Sequence, residues 1–331
     1  MTNTPFANGR LLVVAFEGWN DAGEAASGAV RSLKEQLDVY PIAEVDPEEY
    51  FDYQFNRPIV EYDDDGNRSL TWPSVTIYGP ARPNTARPNT ERPNTERPNT
   101  ERPNTERRES IAADAELQLS ANNQSNIYLL LGTEPSRSWK AFTRDILETI
   151  VDNGITSIVF LGAMLADVPH TRPISVFTSS ENPEVRTALD IERSSYEGPV
   201  GILSVLGQAA ESAGISTMSI WASVPHYVHT APSPKATLAI VDKLEEIVDV
   251  VIPRGDLVSD ASDWETGIDA LAGEDDDMSS YIEQLERARD TVDSPEASGE
   301  AIAQEFEKYL RRDDDKPDQG SAGDEPWRGR D

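Results

Sequence analysis

The stretch VFLGAMLADVPHTRPISV, residues 159–176, decides how the rest of the chain can be arranged. It begins as an apolar run typical of a buried β-strand, and we expect that strand to break at Gly162. A polar loop containing Asp167, His170 and Arg172 follows, and a second apolar strand is expected after it. Because loops held between core strands often carry binding groups, this loop is a candidate for a ligand site or a recognition surface.

Short apolar runs recur along the chain and alternate with helical patterns. Runs that are apolar at nearly every position indicate strands buried on both faces, as in a parallel sheet covered by helices. We predict such strands at residues 11–16, 40–45, 74–78, 126–131, 157–161, 174–178 and 216–222. Residues 58–72 are the exception, because two extended runs around an Asp-Gly pair predict a hairpin. The predicted fold class is α/β, a three-layer α/β/α sandwich with a mostly parallel sheet.

The composition changes abruptly at Arg82, where Arg-Pro-Asn-Thr followed by Ala or Glu repeats in tandem. A proline at every fifth position prevents a continuous helix, and the unit contains no strongly apolar residue that could be buried. We therefore predict that residues 81–124 are a disordered surface insertion within an α/β domain of residues 8–252. A multivalent docking tract is the alternative interpretation of the repeat.

Beyond residue 252 the strand patterns end and acidic helical patterns begin. We predict helices at about 262–272, 278–291 and 295–312, which together form an acidic helical extension over residues 255–312. Their apolar positions are expected to share one seam: Ile268, Leu271, Tyr281, Ile282, Leu285, Ile302, Phe306 and Leu310. Residues 313–331 contain few apolar side chains and are predicted to be disordered.

Acidic side chains dominate the charge of the chain. Sixty Asp and Glu against 29 Lys and Arg give a formal net charge of −31 at pH 7. Nucleic acid and anionic membranes are therefore not expected as partners, because few cations are available to meet phosphate groups. The charge is expected either to keep the protein in solution or to present a negative face to a basic partner protein.

The sequence contains no cysteine, which excludes disulfides, thiolate nucleophiles and zinc–thiolate sites. Its first residues do not show the charged and then apolar segments of a secretory signal. No uninterrupted apolar run approaches the ~20 residues that a transmembrane helix needs. These features predict a cytoplasmic protein.

Polar residues that follow the predicted strands form the candidate site. If the strands are parallel, their carboxyl ends meet at one edge of the sheet, where ligands bind in open α/β folds. The candidate residues are Asp21, Asp167, His170, Arg172, His226 and Lys235. Other polar residues expected near the same edge are Glu17, Glu134, Arg137 and His229.

These residues allow more than one chemistry. Arg172 or Lys235 could hold an anion while a histidine moves a proton. The histidines could equally be hydrogen-bonding struts that order their loops. A metal held by His226 and His229 with a ligand from the 167–170 loop is a further alternative. No metal is predicted, because the neighbouring proline and aromatic residues do not favour a regular helical pair of ligands.

Common catalytic and nucleotide-binding motifs are not found in the sequence. It has no G-x-S-x-G nucleophile elbow and no P-loop. The segment EGWNDAG stands where G-x-G-x-x-G would follow the first strand of a dinucleotide-binding fold. No cofactor is predicted, and the residues alone do not name a reaction.

Several segments together resemble the bacterial branch of the proteasome assembly chaperone 2 family. They are EGWNDAGEAA, LGAMLADVPHTRP, SSYEGPVGI, and VPHYV followed by PSPKAT. The resemblance covers residues 11–250, interrupted by the repeat. The acidic segments that end near EFEKYLRR are similar to the C-terminal helical extension of that branch.

The resemblance implies a sandwich akin to nucleoside phosphorylases and peptidyl-hydrolases, and a homo-oligomer for which a trimer is one expected size. Eukaryotic relatives chaperone the assembly of proteasome rings, so proteasome subunits are the implied partners. Some members carry a hydrophobic-Tyr-X tail that docks into proteasome pockets, whereas the last residues of this sequence are WRGRD. That docking mode is therefore not carried over to this chain.

Two functions follow as hypotheses. The first is a non-enzymatic interaction protein of the proteasome-assembly-chaperone type. The second is a small-molecule binder or enzyme that uses the loops at the carboxyl edge, acting on nucleosides or phosphate. Bacterial members also bear labels such as ATP-grasp or carboxylate–amine ligase, although this sequence has no glycine-rich phosphate loop with a nearby lysine.

Deletion of residues 82–106 is expected to leave the fold intact, because a segment of this composition contributes nothing to a core and loop-closure entropy changes slowly with length. The melting temperature of the shortened chain should match that of the full chain. A fall of many degrees would show that the repeat packs against the domain.

Overall fold

The computed structural model describes Phe6 and residues 9–63, 65–80, 126–228 and 232–293. The predicted insertion, the third predicted C-terminal helix and the predicted tail lie outside these residues. The strands are β1 (Leu11–Glu17), β2 (Val39–Glu44), β3 (Ile59–Tyr62), β4 (Arg68–Thr71), β5 (Val75–Pro80), β6 (Ile127–Thr133), β7 (Ser157–Ala166), β8 (Val176–Ser179) and β9 (Ser216–Pro225).

Seven of these strands form one sheet in the order β2-β5-β6-β1-β7-β9-β8. The four central strands, β6, β1, β7 and β9, are parallel to one another. Antiparallel pairings occur only towards the two edges of this sheet, between β2 and β5, β5 and β6, and β8 and β9. The predicted sheet is thus confirmed at its centre.

Helices cover both faces of the sheet, which confirms the predicted three-layer sandwich. The α-helices of the described residues are α1 (Ala25–Gln36), α2 (Pro47–Tyr50), α3 (Trp139–Asp152), α4 (Pro183–Leu189), α5 (Ile202–Ser212), α6 (Pro234–Val248), α7 (Leu257–Ala272) and α8 (Asp276–Asp293). One core lies between the sheet and α1, α4 and α6, and the other lies between the sheet and α2, α3 and α5.

Strand β1 shows why the central strands read as unbroken apolar runs. Its alternate residues Leu12, Val14 and Phe16 face the α3 and α5 side. Leu11 and Val13, which lie between them, face α1 and α6. Because both faces of a parallel sheet are buried, neither set can be polar.

Strand β7 does not break at Gly162 as the sequence suggested. It continues to Ala166, and Gly162 pairs in register with Trp221 of β9. A Cβ atom on Gly162 would lie 2.7 Å from the indole ring of Trp221. This glycine therefore leaves room for an aromatic ring on the neighbouring strand, which is a common reason for glycine inside a β-strand.

The hairpin and the C-terminal helices are also present. Strands β3 and β4 form a separate antiparallel pair, as predicted for residues 58–72. Helix α7 packs on α6, and α8 packs on α7. Of the apolar seam, Ile268, Ile282 and Leu285 are buried, but Leu271 is exposed, so its assignment to the seam was wrong.

Gly132→Ala is expected to lower the free energy of unfolding by about 2 kcal/mol or more. A Cβ at this position in β6 would lie 2.2 Å from the carbonyl oxygen of Ser74 and 2.5 Å from Cα of Val75, and these backbone atoms cannot rotate away. Gly267→Ala in α7 is the matched control, because nothing lies within 4 Å of its added Cβ. That change should stabilise the protein by about 0.5–1 kcal/mol. Denaturant unfolding measures both, and equal effects would contradict the close approach of β5 and β6.

Candidate functional site

The carboxyl ends of β6, β1, β7 and β9 lie along one edge of the sheet because these strands run in the same direction. Asp167 follows β7 directly, and His226 follows β9 directly. Their side chains meet there, with Asp167 Oδ1 3.2 Å from His226 Nδ1. The His226 ring also packs edge-on against the rings of Tyr227 and Tyr281.

His170 is fully buried and is contacted at both ring nitrogens. Its Nδ1 lies 2.8 Å from the Tyr227 hydroxyl oxygen, and its backbone N–H donates to that same oxygen at 2.8 Å. Its Nε2 lies 3.0 Å from Oδ1 of Asp269 in α7. The ring of Trp264, also in α7, packs edge-on against the imidazole. His170 thus joins the β7–β8 loop to the loop after β9 and to the C-terminal helices.

The Tyr227 hydroxyl is placed to donate a hydrogen bond to the His170 imidazole. Burial raises the pKa of the Tyr227 phenol to about 12, so the hydroxyl keeps its proton near neutral pH. That proton is available to Nδ1 of His170, since the hydroxyl oxygen already accepts from the His170 backbone N–H. In the tautomer that carries its proton on Nε2, the imidazole donates to the Asp269 carboxylate and accepts the Tyr227 hydroxyl proton at Nδ1.

Arg172 and Lys235 are both paired with carboxylates of this chain. The Arg172 guanidinium makes a two-point contact with Asp290 of α8, with Nε–Oδ1 and Nη2–Oδ2 distances of 2.8 Å. It also contacts Glu286 at 3.2 Å. Lys235 Nζ, at the start of α6, lies 2.5 Å from Glu265 Oε2 of α7 and 2.5 Å from the His170 carbonyl oxygen.

Helices α7 and α8 therefore cover the carboxyl edge and supply the counter-ions of its cations. Each helix contributes two carboxylates spaced four residues apart: Glu265 and Asp269 from α7, and Glu286 and Asp290 from α8. The bond from Arg172 holds the pKa of the Asp290 carboxyl below its usual range. The edge is in this way a polar packing surface between the domain and its helical extension.

Asp21 has a different partner, the N-terminus of α1. Its Oδ1 accepts hydrogen bonds from the backbone N–H groups of Ala26 and Ser27, at 2.8 and 3.1 Å. Burial raises the pKa of the Asp21 carboxyl, although these two bonds act in the opposite direction. The side chain therefore anchors the first turn of a helix, as a capping residue does.

The other polar residues expected at this edge are also engaged within the domain. Glu17 pairs with Arg31 of α1 at 2.5 Å. Glu134 Oε1 accepts from the backbone N–H of Ile202 at 2.9 Å, at the start of α5. Arg137 donates to the Glu48 carbonyl oxygen at 2.5 Å. His229 lies outside the described residues.

Reasoning from the sequence missed the partners of the candidate residues. Tyr227 was overlooked although it adjoins His226 in the chain. The acidic partners left a visible signal, since Glu265–Asp269 and Glu286–Asp290 are pairs at i and i+4 and so lie on one helix face. What the spacing does not reveal is the surface that such a face contacts.

The described residues also lack two features that would point to other functions. Among them, no three His, Asp or Glu side chains are grouped in a way that could hold a metal ion. None of their helices combines the length and apolar character needed to cross a membrane.

The model of the PAC2 family matches residues 15–272, which is most of the chain. The chain belongs to the PAC2 family. None of the curated proteins compared with this PAC2 chain matches it.

Solved structures of relatives agree with this membership. A PAC2 family protein from Streptomyces avermitilis is 36% identical, with a TM-score of 0.63, over 82% of this chain and 99% of that one. A proteasome-assembly chaperone homologue from Mycobacterium tuberculosis is 34% identical, with a TM-score of 0.62 and the same coverage. PbaB, an archaeal proteasome activator from Pyrococcus furiosus, is 12% identical with a TM-score of 0.54 over 82% of this chain and 96% of that one. The last likeness concerns the fold alone.

Tyr227→Phe is expected to lower the free energy of unfolding by about 1–3 kcal/mol, because the His170 backbone N–H and Nδ1 both lose their partner. Tyr40→Phe is the control, since it removes the same atom from an exposed side chain whose hydroxyl donates to Asp38. Denaturant unfolding gives the difference. If both variants match the wild type, the tyrosine does not hold His170 in place.

Proposed function

We propose that this PAC2 protein is a non-enzymatic interaction protein of the proteasome-assembly-chaperone type, which binds proteasome subunits in the cytoplasm. The observation that carries the proposal is the relationship to the M. tuberculosis chaperone homologue, which is 34% identical along 99% of its length. Fold alone would not support such a transfer, because one fold hosts many functions. Identity along a whole chain is stronger support for a shared class of partner.

The pairing of the cations at the carboxyl edge argues against small-molecule chemistry there. Arg172 and Lys235, the cations suited to an anionic ligand, are engaged by Asp290 and Glu265. A nucleoside, phosphate or ATP-dependent ligase function is the alternative, and its ligand would have to replace those carboxylates. The His170 contact would be disturbed as well, because Asp269 belongs to the same helix as Glu265.

The resemblance also implied a homo-oligomer, and we include self-association in the proposal. A chaperone of this kind would present its partner-binding surface on each copy. The number of copies, for which a trimer was one expectation, is independent of the proteasome partner.

Immobilised full-length protein is expected to enrich purified proteasome α subunits from solution, because the proposal makes those subunits its partners. The control is an unrelated protein of similar acidic charge. The amount of α subunit captured should exceed the amount captured by the control protein at both low and moderate salt. Non-specific attraction to an acidic surface would be screened as the salt concentration rises.

Enrichment no greater than that of the acidic control would count against the proposed partner. Thermal-shift measurements with nucleosides, inorganic phosphate and ATP then test the alternative. A rise in melting temperature with one of these ligands, combined with failed capture, would favour a ligand-binding role at the carboxyl edge, since a ligand that binds the native state raises apparent stability.

A further inference from the structure

Helix α8 covers a patch of the domain that we name the α8 contact surface. Each residue of this patch touches a side chain of α8, and the four residues are Thr171, Arg172, His226 and Tyr227. The first two lie in the β7–β8 loop and the other two follow β9, so the patch joins two of the loops that carried the candidate site. Any partner that recognised these four residues would have to take the place of α8.

The side chains that α8 places on this surface form a simple pattern. Glu286 accepts from the Thr171 hydroxyl and pairs with Arg172 at 3.2 Å. Asp290 makes the two-point contact with the same guanidinium and, four residues after Glu286, lies one helical turn away from it. Tyr281, nearer the start of the helix, packs edge-on against the rings of the two residues that follow β9. The surface therefore fits a helix that presents an aromatic ring and then two carboxylates one turn apart.

Helix α8 is held by fewer buried side chains than α6, the helix that carries the helical extension. Seven side chains of α6 are buried, whereas Ile282 and Leu285 are the buried ones among the described side chains of α8. The Asp290 side chain, which makes the two-point contact, is 55% exposed to water. Segments with few buried apolar contacts and exposed bonds open at the lowest cost in free energy. We therefore expect α8 to detach while α6 stays in place.

Charge repulsion also opposes the closed position of α8. The helix contains six Asp and Glu against two Arg, and the whole chain has a net charge of −31. Self-repulsion of this kind destabilises compact arrangements of the chain. A helix that kept the two carboxylates opposite Arg172 but carried basic residues on its outer face would instead be attracted to this acidic protein.

We infer that the α8 contact surface is a recognition site for a helical segment of a partner protein, and that α8 occupies this site until the partner displaces it. The partner segment presents an aromatic residue and two carboxylates to the surface and basic residues to the outside. Its apparent affinity is reduced by the fraction of molecules in which α8 is closed. Helix α7 keeps its contacts with His170 and Lys235, so release of α8 leaves the rest of the edge intact.

The inference goes beyond the proposed proteasome partner. It concerns the kind of helix that this surface accepts, and it stands if proteasome α subunits are not captured. Its test uses a synthetic peptide and the full chain, so its failure would leave the capture experiment unaffected.

The probe is a labelled peptide of residues 275–293 with blocked ends and the changes Asp277→Lys, Ser280→Lys and Glu283→Lys, which give its outer face a basic character. Fluorescence anisotropy measures its binding to the full chain. Glu286→Gln with Asp290→Asn in the protein should bind the peptide at least about 10-fold more tightly than the wild type, because the internal competitor is weakened. Addition of Arg172→Gln to that variant should remove the gain, since the peptide carboxylates lose their cation.

Two controls separate recognition from charge. Asp277→Asn with Glu283→Gln in the protein removes the same charge from exposed positions of α8, and this variant should bind the peptide like the wild type. A peptide that also carries Glu286→Gln and Asp290→Asn should not bind. Hydrogen exchange reports the opening itself: amides of α8 should exchange at least about 10-fold faster than those of α6, and Glu286→Gln with Asp290→Asn should speed α8 further without changing α1.

Several results would overturn the inference. They are equal peptide binding by the wild type and by Glu286→Gln with Asp290→Asn, binding that survives Arg172→Gln, binding of the neutralised peptide, and exchange of α8 as slow as that of α6. A larger mass for Glu286→Gln with Asp290→Asn than for the wild type would do so as well, because α8 of another copy would then be the occupant.

Discussion

The shared direction of β6, β1, β7 and β9 is the constraint on which the polar organisation of this protein depends. Parallel strands deliver the loops that follow them to one edge, so polar groups from distant parts of the sequence collect there. Groups such as the His170 imidazole are buried at this edge and must be hydrogen-bonded, because an unpaired buried polar group is costly. The C-terminal helices contribute the Asp269 carboxylate to this requirement, and the segment after β9 contributes the Tyr227 hydroxyl.

The buried centre of the contact between the C-terminal helices and the carboxyl edge contributes more to stability than the exposed ion pairs around it. Pairs such as Arg172–Asp290 are partly exposed, and surface pairs of that kind contribute little individually. His170 is different, because both nitrogens and the backbone N–H are satisfied inside the contact. Removal of a partner there leaves a buried group unpaired, which costs more than the bond itself contributes. Tyr227 is therefore expected to matter more for the attachment of the helices than any single surface charge.

Much of the fold could be predicted from the sequence because strands buried on both faces leave an unmistakable apolar run, as in residues 11–16. The hairpin was predictable from its turn residues. The continuation of β7 through Gly162 was not, because its reason is the Trp221 ring on a neighbouring strand, which only the strand register reveals. The partners of the candidate site were missed for a similar reason. Arg172 and Asp290 are separated by 118 residues, so no local pattern links them.

At the carboxyl edge, Arg172 and Lys235 are already paired with carboxylates of the same chain, and this affects which ligands can bind there. An acidic ligand or partner that approached Arg172 or Lys235 would compete with carboxylates tethered in the same chain, whose effective concentration is high. Partner binding at this edge is therefore disfavoured unless it also displaces α7 and α8. The hairpin carries no such internal competitor among the described residues, and its Val60, Tyr62 and Leu70 share an exposed face with Arg68.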